Sequence, residues 1–423
     1  MNITTFSSFR SRNFRLFFYG QGLSLVGTWM QKTAVSWVIY SITQSKFMLG
    51  LTVFATLFPT AVFSLLGGIA ADRYNRHKLL LLTQVLSLVQ ALLLTAAIVF
   101  FREEAVVLVI ILSAVLGTIN GYDIPARQSL VRELVLDERN LPNALALNSS
   151  MVNLSKLIGP TIAGFAIEHL GDKVCFGLNA LSFIPVIISL LAMRLPKPES
   201  QPKKERNMLR EFKESFAYIK HTPSIKTVII LVGAMSFFAL PFSTLTPAFA
   251  KDIFHGTAST FGVIDGFIGL GAFVGAIFLA SLKEGANLAK VLAINAGIFG
   301  VGLVVFSFCE SLPLALFVIA VSAFGMMSIV TVSNTLIQMN VPALLRGRVI
   351  SVFIMVFSGM LPLGSLLVGG VSHYIGVQQT VLWEGVLGFI IAMIYGRYLR
   401  KTKLRATETE CMENQPEGLL TQA

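Results

Sequence analysis

Long apolar segments recur along nearly the whole chain, and no other feature limits the possible folds as strongly. Residues 48–70, 174–193 and 379–396 each contain at most one charged side chain, and a helix needs about 20 apolar residues to cross a bilayer. Only 13% of all residues are charged, against about a quarter in a soluble domain. Because so few charges cannot cover a water-exposed surface, we predict an all-α membrane protein.

The apolar segments predict twelve transmembrane helices. The expected spans are 14–41, 48–70, 79–101, 105–126, 141–167, 174–193, 227–250, 260–282, 291–308, 312–338, 349–372 and 379–396. One long polar connection, residues 196–226, separates two six-helix halves at 1–195 and 227–400, and a tail follows at 401–423. Within the connection, residues 209–219 fit either a short amphipathic helix on the membrane surface or a solvated linker.

The positive charges predict the orientation of these spans. Most of the 33 Lys and Arg residues fall in one alternate set of loops, which includes both termini and the long connection. The exceptions are Lys46, Arg102, Lys173 and Lys251 in the other loops, and Lys32 and Lys156 inside spans. Because cytoplasmic loops are enriched in Lys and Arg, we expect a multi-pass protein of the bacterial cytoplasmic membrane with both termini in the cytoplasm. The net charge of +11 then reflects topology, and no nucleic-acid partner is expected.

Glycines indicate that the two halves are repeats. Three pairs share an offset of 205 residues, namely Gly159 and Gly364, Gly164 and Gly369, and Gly171 and Gly376. In both halves the triplet follows a basic loop and belongs to a span of the same predicted direction. We therefore expect a parallel repeat of pseudo-symmetric halves, as is common in transporters.

The loop after the second span carries a patterned group of charges. Its sequence is Gly68-Ile-Ala-Ala-Asp72-Arg73-Tyr-Asn75-Arg76-His77-Lys78. The order resembles the signature of the major facilitator superfamily, in which a glycine precedes Asp-Arg by four positions; Asn75 replaces a usual second glycine. The resemblance implies a twelve-helix major facilitator fold in which Asp72, Arg73 and Arg76 join the halves as a gate. Asp123, near the cytoplasmic end of span four, is the expected partner of one of these arginines.

The fifth span contains a second motif, Gly159-Pro160-Thr-Ile-Ala163-Gly164. Proline removes a backbone donor and glycine permits close packing, so the helix can bend where the halves meet. The motif resembles that of the exporting, antiport branch of the superfamily, although Ala163 and the upstream small residues Ala146 and Ser155 depart from glycine. A kinked helix without a role in transport direction is the alternative.

A third stretch narrows the resemblance to one branch. It comprises Pro125-Ala-Arg127-Gln128 and Asn143-Ala-Leu-Ala-Leu-Asn148, and it is similar to enterobactin exporters, macrolide efflux proteins and lysophospholipid transporters. The expected span four lacks the intramembrane arginine of many proton-driven drug exporters, which leaves the coupling chemistry open.

Polar groups at membrane depth are candidates for the transport site because burying them there is costly. Lys32 and Lys156 lie near the middle of spans one and five, and Gln21 and Gln31 accompany Lys32. On helices that face a central cavity, two ammonium groups favour an anionic substrate. The alternative is that each lysine pairs with a carbonyl or a buried acid and is only structural.

Asp123, Asp265 and Glu384 are the candidate proton carriers, since desolvation brings a carboxyl group into the working pH range. Asp265 and Glu384 lie only about a turn inside their spans on the predicted periplasmic side. At that depth, exposure to water at a helix end is the favoured alternative.

Together these features predict a secondary active transporter that exports a small organic molecule, a siderophore or a drug-like and anionic compound, by alternating access with proton coupling. Uptake of a solute and flipping of a lysophospholipid are alternatives. No Walker loop or His-Glu-x-x-His motif is present, which argues against ATP use through such a loop and against an enzyme. We expect a substrate, protons and lipid as partners, no cofactor or metal, and a monomer.

Overall fold

Helices make up nearly all of the computed structural model, which describes residues 7–101, 104–135, 138–194, 208–283 and 285–413 and contains no strand within these ranges. The first half contains α1 (Arg12–Thr43), α2 (Lys46–Arg73), α3 (Arg76–Phe101), α4 (Val106–Glu133), α5 (Leu141–Leu170) and α6 (Asp172–Ala192). The rest contains α7 (Met208–His221), α8 (Pro223–Phe238), the short α9 (Thr246–Ala248), α10 (Ala258–Ala280), α11 (Leu288–Ser307), α12 (Leu312–Asn340), α13 (Ala343–Ile375) and α14 (Val377–Glu413). The predicted fold class is confirmed.

Ten of these segments are long and apolar enough to cross a membrane: α2, α3, α4, α6, the segment Pro223–Ile253 that includes α8 and α9, and α10 to α14. The helices α1 and α5 are equally long, at 32 and 30 residues, but are less apolar. They contain Lys32 and Lys156, and they pack against each other and against α6 and α10. By their length and their packing against the other spans, they complete the twelve predicted spans.

The helix contacts follow the predicted repeat. In the first half, α1 packs against α5 and α6, α2 against α4, and α3 against α4 and α6. In the second half, α8 packs against α13 and α14, α10 against α12, and α11 against α12 and α14. The contacts between halves are also paired, because α2 packs against α13 and α10 packs against α5. Each of these contacts in one half therefore has a counterpart in the other.

The repeated glycines occupy equivalent positions. Gly171 and Gly376 end α5 and α13 with φ of 88° and 85°, a backbone conformation that side chains rarely adopt. Gly159 lies against α1 and Gly364 lies against α8, which are corresponding helices in the two halves. The glycine pattern thus marks a structural duplication.

The remaining glycine pair, Gly164 and Gly369, lies where the two halves contact each other on the predicted periplasmic side. A Cβ added at Gly164 would lie 3.0 Å from Gly262 Cα in α10, and one added at Gly369 would lie 2.9 Å from Gly50 Cα in α2. All four glycines belong to the inter-half helix pairs. Glycine is required at these positions because the two backbones nearly touch.

The seventh crossing is discontinuous. After α8, a 3-10 segment spans Leu240–Thr244 and a π turn spans Phe249–Ile253. Pro241 and Pro247 lie in this irregular stretch, as expected from the donors that they lack. By contrast, α2 and α13 remain continuous around Pro59 and Pro362.

The long connection contains a helix, as one of the two alternatives predicted. The helix α7 packs against α8 and α13, with Ser215 and Ile219 buried and Glu214 bound to Arg348 at 2.6 Å. Residues 195–207 and the last part of the tail, 414–423, lie outside the described residues.

Candidate substrate cavity between the two halves

A polar cavity lies where the halves meet, and both halves contribute to its wall. The lining residues are Trp29, Lys32, Thr33 and Ser36 of α1, Val53 and Leu57 of α2, Ser243 and Thr244 of the 3-10 segment, Phe261 and Asp265 of α10, and Leu361 and Ser365 of α13. Such a wall of aromatic and aliphatic side chains with a few polar groups is typical of small-molecule sites.

Two ammonium groups meet at one indole ring in this region. The Nζ atoms of Lys32 and Lys156 lie 4.6 Å and 5.4 Å from the centre of the Trp29 ring. Gly159, one turn after Lys156, allows this approach, since a Cβ there would lie 2.6 Å from Trp29 Cβ. Both lysines are exposed although they lie near the middle of long helices. The span-five motif therefore places Lys156 beside Lys32.

Asp265 faces these cations from the second half. Its carboxylate accepts a hydrogen bond from Thr246 Oγ1 at 3.1 Å and interacts electrostatically with Lys32. The residue is half-buried and lines the cavity. The expectation that Asp265 is exposed at a helix end is wrong, because the irregular seventh crossing and α1 pack over the start of α10.

The two predicted cavity glutamines lie elsewhere, which corrects the sequence analysis. Gln31 is buried inside the first half, where it accepts a hydrogen bond from Asn179 at 2.5 Å and donates one to Gln90 at 3.2 Å. Gln21 is also buried and does not line the cavity. Adjacent helical positions differ by about 100°, so Gln31 and Lys32 face different sides of α1.

Polar contacts join the halves on the predicted periplasmic side. Asp252 of the second half accepts a hydrogen bond from Tyr40 at 2.5 Å and pairs with Lys46 at 3.4 Å. On the opposite seam, Glu168 of α5 accepts hydrogen bonds from Thr257 Oγ1 at 2.5 Å and Ser259 N at 3.3 Å. The hydrogen bond from Ser259 N caps the start of α10, where a carboxylate is favoured by the helix dipole. We call these two contacts the periplasmic latches.

The predicted gating motif is not assembled across the halves in this conformation. Asp72 and Arg73 are exposed, without an ion pair among the described residues, and a Cβ added at Gly68 would meet no atom within 4 Å. Arg76 pairs at 2.6 Å with Glu133, which belongs to the same half.

Asp123 does not bind a motif arginine, so the predicted partner is wrong. It lies buried between α3 and α4, where it accepts hydrogen bonds from Thr83 at 2.9 Å and Gln84 at 2.7 Å and pairs with Arg127 at 3.4 Å. Arg127 is itself buried. The predicted span four ends at residue 126 and leaves Arg127 in the loop, whereas α4 continues to Glu133.

Glu384 also departs from expectation. Its side chain is only 3% exposed, and neither carboxylate oxygen has a hydrogen-bond partner among the described residues. The shallow position in α14 suggested exposure to water, but α8 and α11 cover this face of the helix. Glu384 lies apart from the residues that line the cavity.

The remaining residues of the span-five motif lie at the inter-half seam. Pro160 and Gly164 are buried and form the α5 side of the contact with Gly262. The motif therefore acts in helix packing between the halves, as its composition predicts, while α5 stays helical through Pro160.

Comparison with known sequences assigns this architecture to a group of transporters. The profile of the family described as transmembrane secretion effector matches residues 3–423. The staphyloferrin A transporter of Staphylococcus aureus is 24% identical over 93% of this chain and 98% of its own length. The macrolide efflux protein A of Streptococcus pyogenes is 24% identical over 90% and 96%. The enterobactin exporter of Citrobacter koseri is 25% identical over 92% of each chain.

Solved structures share the fold. A bacterial homologue of the human lysosomal transporter Spinster, in an inward-facing and occupied conformation, superposes with a TM-score of 0.72 at 14% identity, covering 92% of this chain and 97% of that one. A POT family transporter superposes with the same TM-score at 12% identity, covering 92% and 96%. At these identities the likeness establishes the fold alone.

Proposed function

Because the chain belongs to the transmembrane secretion effector family and is a multi-pass transporter of the major facilitator type, we propose that it exports a small anionic organic molecule by proton-driven alternating access. The cavity between the halves carries this proposal: Lys32 and Asp265 line it, and Lys156 lies beside it at the Trp29 ring. The substrate class is that of a siderophore or a drug-like acid. Relatives named as exporters and efflux proteins support the outward direction.

The two lysines support the preference for a negative charge. Both ammonium groups stand over one indole ring, with Asp265 as the acid that interacts with Lys32. Two cations near a single acid leave an excess of positive charge in a cavity of low dielectric constant, which attracts and concentrates anions. A carboxylate of the substrate replaces Asp265 as the partner of Lys32 or binds Lys156 directly, while Trp29 and Phe261 contact its apolar part.

Alternating access is supported by the unequal state of the two ends. The halves are joined on the predicted periplasmic side by the glycine contacts and the periplasmic latches, whereas Asp72 and Arg73 on the other side are free of inter-half partners among the described residues. In the proposed cycle, the gating motif joins the halves when the latches separate. The protein then works as a monomer in a bacterial cytoplasmic membrane, with both termini in the cytoplasm.

Transport direction is the first test. Everted membrane vesicles energised with a proton gradient should accumulate labelled staphyloferrin A, an anionic probe suggested by one of the relatives. Accumulation only in right-side-out vesicles would contradict export and favour uptake. The orientation is tested separately by labelling a cysteine at position 220 in α7, which an impermeant reagent should reach only in everted vesicles.

The lysines are tested in the same vesicles. Loss of a charge-assisted contact costs about 1.5–3 kcal/mol, so Lys32→Ala and Lys156→Ala should each raise the KM on the order of tenfold or more. Lys226→Ala, at an exposed lysine near the start of α8, is the matched control and should leave transport unchanged. Wild-type KM in both cavity variants, at equal membrane abundance, would remove the lysines from the site.

A further inference from the structure

Glu384 is a buried acid that belongs neither to the cavity wall nor to the periplasmic latches. It lies seven residues after the start of α14 at Val377, about 10 Å along the helix from the predicted periplasmic end. The side chain is 3% exposed and both oxygens lack a hydrogen-bond partner among the described residues. An ionised carboxylate in such surroundings is strongly disfavoured, whereas the protonated acid is tolerated.

The repeat shows what a purely structural residue does at this position. With the glycine offset of 205, Glu384 of α14 corresponds to Asn179 of α6. Asn179 is buried and donates a hydrogen bond of 2.5 Å to Gln31 of α1. The first half therefore fills this position with a neutral amide that has a partner.

The partner position has changed in the second half. Gly159 lies against Val26 O of α1, and its repeat counterpart Gly364 lies against Phe237 O of α8. Val26 and Phe237 are therefore equivalent, so residues of α1 and α8 correspond at an offset of 211. Gln31 then corresponds to Phe242, a fully buried residue of the 3-10 segment. The second half thus has an acid in place of the amide and a phenyl ring in place of the accepting glutamine, so packing alone does not explain Glu384.

Among the described residues, the ionisable groups of the helices packed around Glu384 lie toward the helix ends. They are Lys226 of α8, Lys251 and Asp252 after it, Lys290 of α11, Arg346, Arg348, His373 and Tyr374 of α13, and Tyr395, Arg397, Tyr398, Arg400 and Lys401 of α14. The irregular segment after α8 lies near this part of α14: α14 contacts Leu240–Thr244, and Gly388, one turn after Glu384, lies against Ala239. Ser243 and Thr244 of this segment line the cavity.

We propose that Glu384 is a proton-binding site of the second half, protonated in this conformation and linked to the cavity through the broken seventh crossing. The inference rests on the proposed proton-driven export. In the transport cycle, the carboxylate takes up one proton from water on the periplasmic side and returns it to water on the cytoplasmic side.

The protonation state can be measured without any substrate. Infrared spectra of the purified full-length protein at neutral pH should contain the C=O stretch of a protonated carboxyl group. Glu384→Gln, which is nearly isosteric, should remove this band, and the control Asp265→Asn should retain it. An unchanged band in Glu384→Gln would overturn the proposal.

A second measurement needs no substitution. Carbon-13 labelling of glutamate should shift the same band in the wild-type protein. Other described glutamates do not compete, because Glu104, Glu133, Glu168, Glu214 and Glu310 are exposed. A band that does not move on glutamate labelling would also overturn the proposal, even if Glu384→Gln failed to fold.

A transport assay distinguishes a failure of the Glu384 proposal from a failure of the proposed export function. With labelled staphyloferrin A, Glu384→Gln should retain exchange across the membrane but lose accumulation driven by the proton gradient. Accumulation at the wild-type level would refute the coupling role of Glu384. Failure of the wild-type protein to accumulate this probe would instead contradict the proposed function, and the infrared result would still stand.

Discussion

The close contact at Gly164 predicts that a single added methyl group will open the predicted periplasmic side. In Gly164→Ala, the new Cβ would lie 2.6 Å from Ala258 O, 3.0 Å from Gly262 Cα and 3.1 Å from Ser259 Cα. The shortest of these falls about 0.8 Å below ordinary contact at 3.4 Å. All three atoms are backbone, so α10 as a whole must move away. Overpacking of this kind costs about 1–3 kcal/mol.

The cost applies only to the closed arrangement, since separated halves have room for the methyl group. A difference of 1–3 kcal/mol shifts the closed-to-open equilibrium by about 5- to 150-fold. The assay is labelling of Ser243→Cys, in the cavity wall, by an impermeant maleimide added to right-side-out vesicles in a Cys411→Ser background. Labelling should accelerate in Gly164→Ala, and in Gly369→Ala by the repeat.

The matched control is Gly177→Ala in α6, where an added Cβ meets no atom within 4 Å. Replacing glycine by alanine within a helix is otherwise favourable by about 1 kcal/mol, so neither substitution should unfold the protein through its own helix. If Gly164→Ala and Gly369→Ala both left the labelling rate at the level of Gly177→Ala, the two glycine contacts would not hold the halves together.

Three further predictions concern the polar contacts. Asp252→Ala removes the partner of both Tyr40 and Lys46 and should weaken closure by about 1–2 kcal/mol. The same labelling of Ser243→Cys measures this change, and an unchanged labelling rate would exclude this latch. Asp123→Ala leaves Arg127 buried without its ion-pair partner and should destabilise the fold by about 3–5 kcal/mol. The measurement is the Tm in detergent, which should fall; an unaltered Tm would contradict the structural role of Asp123. Asp72→Ala should lower turnover with substrate binding near normal, because its carboxylate has no ion pair among the described residues in this conformation and is proposed to join the halves only when the latches separate. Turnover at the wild-type level would show that the motif is not a gate.

Apolar periodicity and glycine spacing were sufficient to predict the helical architecture. The twelve spans and the duplication at Gly159, Gly164 and Gly171 follow from the length of apolar segments and from spacing, which depend on the bilayer and on helix contact alone. Proline chemistry accounts for the discontinuity at Pro241 and Pro247, but α2 and α13 stay continuous at Pro59 and Pro362. These properties are local or one-dimensional, and a sequence records them directly.

The candidate site was only partly predictable. Lys32 and Lys156 stand out because few charges lie inside spans, but the meeting of both at Trp29 depends on the crossing of α1 and α5. The side of α1 that faces the cavity cannot be deduced from hydropathy, so Gln31 and Gln21 were placed wrongly. Arg127 and Glu384 were misjudged for a related reason: burial at a helix end is determined by how far neighbouring helices extend.

Substrate protection of the cavity tests the central claim most directly. In the Ser243→Cys, Cys411→Ser protein, an anionic probe such as staphyloferrin A should slow maleimide labelling from the cytoplasmic side, and adding Lys32→Ala with Lys156→Ala should abolish the protection. Equal protection with and without the two lysines would contradict an anion site at the meeting of the halves.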